Sequence, residues 1–406
     1  FAGWTGSNGE TAQTTVTISK GSVGNKTYTA NWTINSYELT INPNGGTWGG
    51  ATTNSTAKQN YLTTKKIAVP TRTGYTFAGW TLTGAGSITK TTPLATAEQT
   101  YAYGAGDATL TANWTVNKYT LARTAETGGT VSGNSGNIAY GTSNTVTATA
   151  STGYKFAGWY EGTSKVSSNA SYTFTMPAKN YTLVAKFTAI SYTITYDLVG
   201  GMLETGKTNP VEYTVETDDI TLNNPIKEGY TFTGWTGSNG ATANKAVTIV
   251  KGSTGNKTYT ANWTINKYIL SVVAENGGTV SGDSGEIDYE TSVEVKAMAE
   301  AGYKFTGWYE GETKVSDLED YTFNMPDNNK SLVAKFKTIP YTITYDLAGG
   351  SLETGKTNPV EYIVETETFT LNNPIKTGYT FVGWTGSNGE TANTVITIEK
   401  GTTGNK

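Results

Sequence analysis

The carboxylates carry most of the acid and base chemistry open to this chain. Histidine and cysteine are both absent from its 406 residues, which removes the commonest proton shuttle, the usual catalytic triad and thiolate zinc sites together. Two groupings come nearest to a glycosidase-type acid and base: Asp218-Asp219, and Glu310 with Glu312. Neither pair persists where the surrounding sequence recurs. Glu367-Thr368 stands for the first and Glu161 with Thr163 for the second. Both are read as solvated surface charge, and no catalytic residue is assigned. Calcium takes oxygen ligands, and the Asp-rich turns on offer are Asp327-Asn328-Asn329 and Gly282-Asp283-Ser284-Gly285. Neither has the ligand spacing of a calcium loop, and Ala178-Lys179-Asn180 stands where the first recurs. No metal and no cofactor are expected.

Charge excludes further classes. The net charge is −4, the sequence pI is near 5.2 and no basic run stands out, so nucleic acid and anionic membrane are poor partners. No apolar run approaches the 18 or so residues a spanning helix needs, so membrane insertion is not expected. The chain has no initiator Met, signal peptide or sorting tail, and reads as an excerpt of something longer.

The elements that would position any site are repeats. The string Gly229-Tyr230-Thr231-Phe232-Thr233-Gly234-Trp235 recurs as GYTFAGW at 74–80, GYKFAGW at 153–159, GYKFTGW at 302–308 and GYTFVGW at 378–384, and a cut copy, Phe1-Ala2-Gly3-Trp4, opens the chain. Aromatic and β-branched residues between glycines suit a short strand. Simple alternation then puts Tyr230 and Phe232 on one face and Trp235, in phase with Thr231 and Thr233, on the other. Rings that recur in every copy are expected to be structural: Tyr75, Phe77 and Trp80; Tyr154, Phe156 and Trp159; Tyr230, Phe232 and Trp235; Tyr303, Phe305 and Trp308; Tyr379, Phe381 and Trp384. Nine of the ten Trp fall at repeated positions. Trp48, on the Gly-rich stretch Asn44-Gly45-Gly46-Thr47-Trp48-Gly49-Gly50, does not, and is the one candidate ligand contact, with packing inside its own module as the alternative.

Two related modules alternate. Residues 1–36 are the back part of a type A repeat, 37–118 a variant type A, 119–191 type B, 192–267 type A, 268–340 type B, and 341–406 type A without its closing strand. Tyr192, Ile194, Tyr196 and Leu198 alternate with Thr193, Thr195 and Asp197, a period of two. The type B modules starting at Tyr119 and Tyr268 lie 149 residues apart, as do the type A modules starting at Tyr192 and Tyr341, so a B-A pair was duplicated as a unit. The four-residue joints 115–118, 188–191, 264–267 and 337–340 contain no Gly and are too short for a flexible tether. Neighbouring modules of about 70 residues, each about 30 Å across, should touch and form an elongated, semi-rigid rod reaching roughly 150 Å.

The type A units, with YTITYDLxGG, NPxxxGYTFxGW and TYTANW, resemble the InlB B-repeat or Listeria-Bacteroides repeat family. The type B units, with GGTVSG, GYKFxGWY and LVAKF, resemble the divergent InlB B-repeat or bacterial repeat family. The resemblance covers essentially the whole chain. It implies mostly β, β-grasp-like modules in tandem on extracellular bacterial proteins, between a recognition domain and an anchor. The expected function is a stalk or spacer on the bacterial surface or in a secreted protein, without enzymatic activity. The alternatives are that the repeats themselves bind host or matrix glycans or proteins, or that they accompany a polysaccharide-active enzyme. In such a setting an isopeptide bond between Asn262 and Lys207 or Lys251 is worth testing, although type B places Lys335 where type A has Asn262. Asn262-Trp263-Thr264 also fits a glycosylation pattern that a Thr-rich chain produces by chance. Incomplete modules at both ends predict head-to-tail self-association, residues 27–32 of one chain completing the sheet of module 341–406 in another.

Overall fold

Alternation of apolar and polar residues makes each module a set of short strands. The computed structural model describes residues 1–89 and 98–406, and the described residues are strands and loops with no helix, as a mostly β repeat array requires. They form two compact units. The first comprises Phe1–Ser191 with Thr214–Glu216, and the second Tyr192–Tyr213 with Thr217–Lys406.

In the second unit, Tyr192–Asp197 buries Ile194 and exposes the threonines beside it, as its period of two predicts. This strand runs parallel to the closing strand Lys257–Ile265, with Ile194 opposite Lys257. The closing strand pairs antiparallel on its other side with the motif strand Tyr230–Gly237, which forms a hairpin with Gly240–Asn244. First and last strands of the module therefore lie side by side in the middle of a mixed sheet. Type B, over 268–340, repeats the scheme with Lys267–Ala274, Lys330–Thr338 and Tyr303–Glu310. It adds a three-stranded antiparallel sheet of Gly278–Gly282, Ser292–Ala299 and Asp320–Asn324. The core between its two sheets holds Leu270, Val293, Val295, Trp308, Met325 and Leu332.

In the first unit, module 119–191 has the same two sheets, built on Lys118–Ala125, Tyr181–Ala189 and Tyr154–Glu161. Module 37–118 keeps the parallel pairing of Ser36–Asn42 with Ala108–Val116 and the antiparallel motif strand Tyr75–Gly84. The opening segment is a three-stranded sheet in which Gly3–Gly6 lies between Gly9–Gln13 and Tyr28–Asn31.

The facing of the motif rings differs from simple alternation. Phe232 lies opposite Trp263 and Gly234 opposite Asn262, so Thr233 is an extra residue, a β-bulge. The bulge shifts the phase by one and turns Trp235 onto the face of Phe232, with ring centroids 5.5 Å apart. Ala78, Ala157 and Thr306 are inserted in the same way. Gly234 permits it with φ +140°, and a Cβ there would meet the Asn244 backbone nitrogen at 2.5 Å. Trp159, Trp235 and Trp308 are in consequence 0% exposed, at the centre of their cores and not over an edge.

A side-chain clamp holds an amide near the start of the first strand of each module from 37 onward. The Glu38 amide donates to Asp107 Oδ1, Thr120 to Asn180, Thr193 to Asn256, Ile269 to Asn329 and Thr342 to Asn405, at 2.8–3.0 Å. In the four of these modules with a closing strand the acceptor sits just before it and satisfies an amide at the start of the parallel pairing, and Asn405 holds the Thr342 amide in the same way. Asn329 and Asn180, at the turns weighed above for calcium, have this job.

Candidate functional site

The carboxylates weighed for catalysis are placed as turn fasteners. Asp219 Oδ1 accepts the Lys251 amide at 2.8 Å and Asp218 Oδ1 accepts Lys251 Nζ at 2.8 Å. In module 341–406 the Lys400 amide donates to Thr368 Oγ1 at 3.0 Å and Lys400 Nζ to Glu367 at 2.7 Å. The residue types change while the two bonds remain. Lys251, through its hydrogen bond and then its charge, holds the Asp218 carboxyl below the usual carboxylate range, the opposite of what a general acid needs. Glu310 pairs with Lys330 and Glu161 with Lys179, while Glu312 is exposed. Asp283 Oδ2 accepts the Glu294 amide at 2.8 Å, as Asn134 accepts that of Thr145 at 3.1 Å. Among the described residues no three acidic side chains gather where they could hold a metal ion.

The Asn262 amide donates to Gly234 O, Thr236 Oγ1 and Thr260 O at 2.9–3.1 Å, stitching the closing strand to the motif strand. Lys251 faces Asp218, and Lys207 closes a turn on Glu204 O, so the structure brings neither lysine to Asn262 by any contact described. The equivalent amides of Asn31 and Asn113 reach Thr5 and Thr81.

Trp48 is half-buried against the core of Leu39, Ile41 and Ile67, and its indole N–H donates to Ala68 O at 2.9 Å. A two-way backbone bridge with Ala51 fixes its loop. The motif phenylalanines pair across strands with rings of the closing strands. Phe232 meets Trp263 at 5.4 Å, Phe77 meets Trp114 at 5.7 Å, Phe156 meets Phe187 at 5.8 Å and Phe305 meets Phe336 at 5.7 Å. The indole N–H groups of Trp159, Trp235, Trp308 and Trp384 all donate to acceptors in their own modules. Tyr379 is exposed, while Phe381 and Trp384 are half-buried.

Two concavities stand out. A groove of about 1030 Å³ in module 341–406 is lined by Ile343, Tyr345, Leu371, Phe381, Trp384 and Ile398. In module 192–267 the corresponding space holds the closing strand Lys257–Ile265, so the lining is a module interior and not a ligand cleft. The stretch 27–32 contributes Tyr28–Asn31, which pairs with Gly3–Gly6, and Trp32 meets Phe1 at 5.4 Å. A polar cleft of about 780 Å³ in the first unit is bordered by Gly45, Arg72, Tyr75, Trp114 and Tyr140.

Arg72 and Tyr140 belong to a feature that motif reading missed. In each of the four joints, the third residue bonds back to the first Gly of the motif in its own module. The Asn117 amide donates to Gly74 O, Asn266 to Gly229 O, Ile190 to Gly153 O and Ile339 to Gly302 O, at 2.8–2.9 Å. The absence of Gly from the joints was the one available sign of this order. Among the described residues, no helix is long and apolar enough to cross a membrane.

Comparison with known proteins accounts for the alternation. A Listeria-Bacteroides repeat domain matches residues 37–113, 192–265 and 341–406, and a divergent InlB B-repeat domain matches 119–191 and 268–340. A "Putative Gly-rich membrane protein" of Evansella cellulosilytica is 28% identical over 77% of this chain and 36% of its own length. A "Putative membrane protein" of the same organism is 27% identical over 68% of this chain and 40% of its own. Internalin H of Listeria monocytogenes is 36% identical over 22% of this chain and 16% of its own. The chain thus spans about two fifths or less of the curated relatives it matches. A solved structure titled "The Bacillus anthracis TIE protein" is 10% identical, covers 70% of each chain and reaches a TM-score of 0.31, too low to carry an argument. More than half of the sequence falls in Listeria-Bacteroides repeats separated by divergent InlB B-repeats, and the chain belongs to the Listeria-Bacteroides repeat family.

Proposed function

We propose that this chain is a repeat spacer of an extracellular protein, on a bacterial surface or secreted, that sets a distance between a recognition domain and an anchor. The observation that carries the reading is the bonding across the joints, where the Tyr140 amide donates to Asn117 O and the Tyr289 amide to Asn266 O, so that these neighbouring modules within each unit meet at a defined turn instead of swinging on a tether. The modules follow the boundaries 1–36, 37–118, 119–191, 192–267, 268–340 and 341–406. Each complete one is β-grasp-like in pairing its first and closing strands in parallel inside a mixed sheet, although among the described residues a second set of strands, not a helix, covers that sheet. No catalysis is assigned, because Asp218, Asp219 and Glu310 are engaged in a turn and an ion pair and Glu312 lies exposed beside the last of them.

In small-angle scattering the full chain is expected to show a maximum dimension on the order of 150 Å, the sum of modules each about 30 Å across. Across a panel of glycans and extracellular matrix proteins it is expected to show no saturable binding. Saturable binding that Trp48→Ala abolishes in folded protein would replace the spacer with a direct adhesin, whose ligand is a host or matrix glycan or protein.

A further inference from the structure

We infer that the Gly-Tyr pair opening each GYxFxGW strand is a docking socket for the next module, and that its two forms take different keys: a tyrosine of type B on type A, and a Val-Glu pair of type A on type B. This goes beyond the spacer reading and does not depend on it.

The type A socket is seen twice. Tyr140 lies over Gly74, where an added Cβ would meet the ring at 2.1 Å, and its ring stands edge-on to Tyr75 at 5.9 Å. Tyr289 lies over Gly229 at 2.0 Å by the same measure and meets Tyr230 at 6.1 Å. A cation covers the socket tyrosine in each case, Arg72 4.0 Å from the Tyr75 ring and Lys227 4.1 Å from that of Tyr230. Backbone bonds lock the key, for the Tyr140 amide donates to Asn117 O and the Tyr289 amide to Asn266 O. Thr76 and Thr231 hold the same two asparagines by their side chains at 2.6 Å.

The type B socket is filled differently. Val364 sits on Gly302 so closely that an added Cβ would lie 1.7 Å from its Cγ1. Glu365 accepts the Tyr303 hydroxyl at 2.8 Å and the Asn276 amide at 3.1 Å. In the first unit Val215 covers Gly153 at 2.1 Å, and Glu216 accepts the Tyr154 hydroxyl at 2.9 Å. One turn thus meets an aromatic ring in type A, beside a socket tyrosine covered by a cation, and a branched aliphatic with a carboxylate in type B. Glycine is required on both counts, since φ is +70° at Gly229 and +88° at Gly302 and the key occupies the space of a Cβ.

Gly378 supplies an internal control. Its φ is +82°, its tyrosine, Tyr379, lies 4.6 Å under Lys376, and nothing comes within 4 Å of an added Cβ. Ala at Gly378 therefore meets the backbone cost alone, and Ala at Gly229 meets that cost and the key.

The test is amide hydrogen exchange on the full chain. Gly229→Ala is expected to speed exchange at the Asn266 and Tyr289 amides at least about tenfold, with the amides flanking Trp235 slowed or sped no more than those flanking Trp384 are in Gly378→Ala. Val364→Ala with Glu365→Gln, which leaves every socket glycine in place, is expected to do the same at the Ile339 amide while the strand Tyr303–Glu310 keeps its protection. Unchanged exchange at the joint amides in both variants overturns the inference. So does loss of protection through the whole module at the same rate as at the joint, because the key would then be part of the core and not a docking contact.

Discussion

Trp308 shows what one residue does in this architecture. Its ring is 0% exposed, meets Phe305 at 6.0 Å and donates to Glu319 O at 3.3 Å. Trp308→Ala is expected to destabilise module 268–340 by about 3 to 5 kcal/mol through lost burial and the space left behind, read as earlier loss of exchange protection in that module alone. That the recurring rings are structural was legible, because a ring kept in every copy serves what every copy shares. Their facing was not, because counting by twos fails once Thr306 is inserted, and nothing in the residue type at 306 announces the insertion. Trp48 was legible only as an exception. Its bond to Ala68 reaches across 20 residues that include the strands Ser55–Asn60 and Thr64–Ile67, beyond the reach of local pattern.

Between strands, the asparagine clamp carries the next prediction. Asn329→Ala removes the acceptor of the Ile269 amide and is expected to cost about 1 kcal/mol. Faster exchange at Ile269, with little change in the sheet of Gly278–Gly282, Ser292–Ala299 and Asp320–Asn324, checks it. The clamp could not be read in advance, since donor and acceptor lie 60 residues apart and Asn before a strand reads equally well as a turn residue. Strand content and the alternation of two module types were plain from period and repetition. Parallel pairing of the first strand with the last was not, because a long-range register leaves no local mark.

Across the whole molecule the buried tyrosines set an alkaline limit. Burial, then the neighbouring Tyr259, pushes Tyr196 up to about 12, and burial raises Tyr101, Tyr103, Tyr213, Tyr259, Tyr345 and Tyr362 as well. The folded state favours the neutral phenol, so this stability is whole below the ordinary tyrosine value of about 10 and is lost as pH rises through the folded values. Phenolate absorbance from these raised tyrosines is expected to appear above the ordinary tyrosine range and together with unfolding, with Tyr196 ionising near pH 12. A single smooth titration near pH 10 without unfolding would contradict it. The central parallel pair has one more consequence. A chain pulled from both ends of a module loads the bonds between Tyr192–Asp197 and Lys257–Ile265 together, in shear, and does not unzip them one at a time. Resistance to tension then depends on how slowly that single patch ruptures, so a module of ordinary thermodynamic stability can hold under flow.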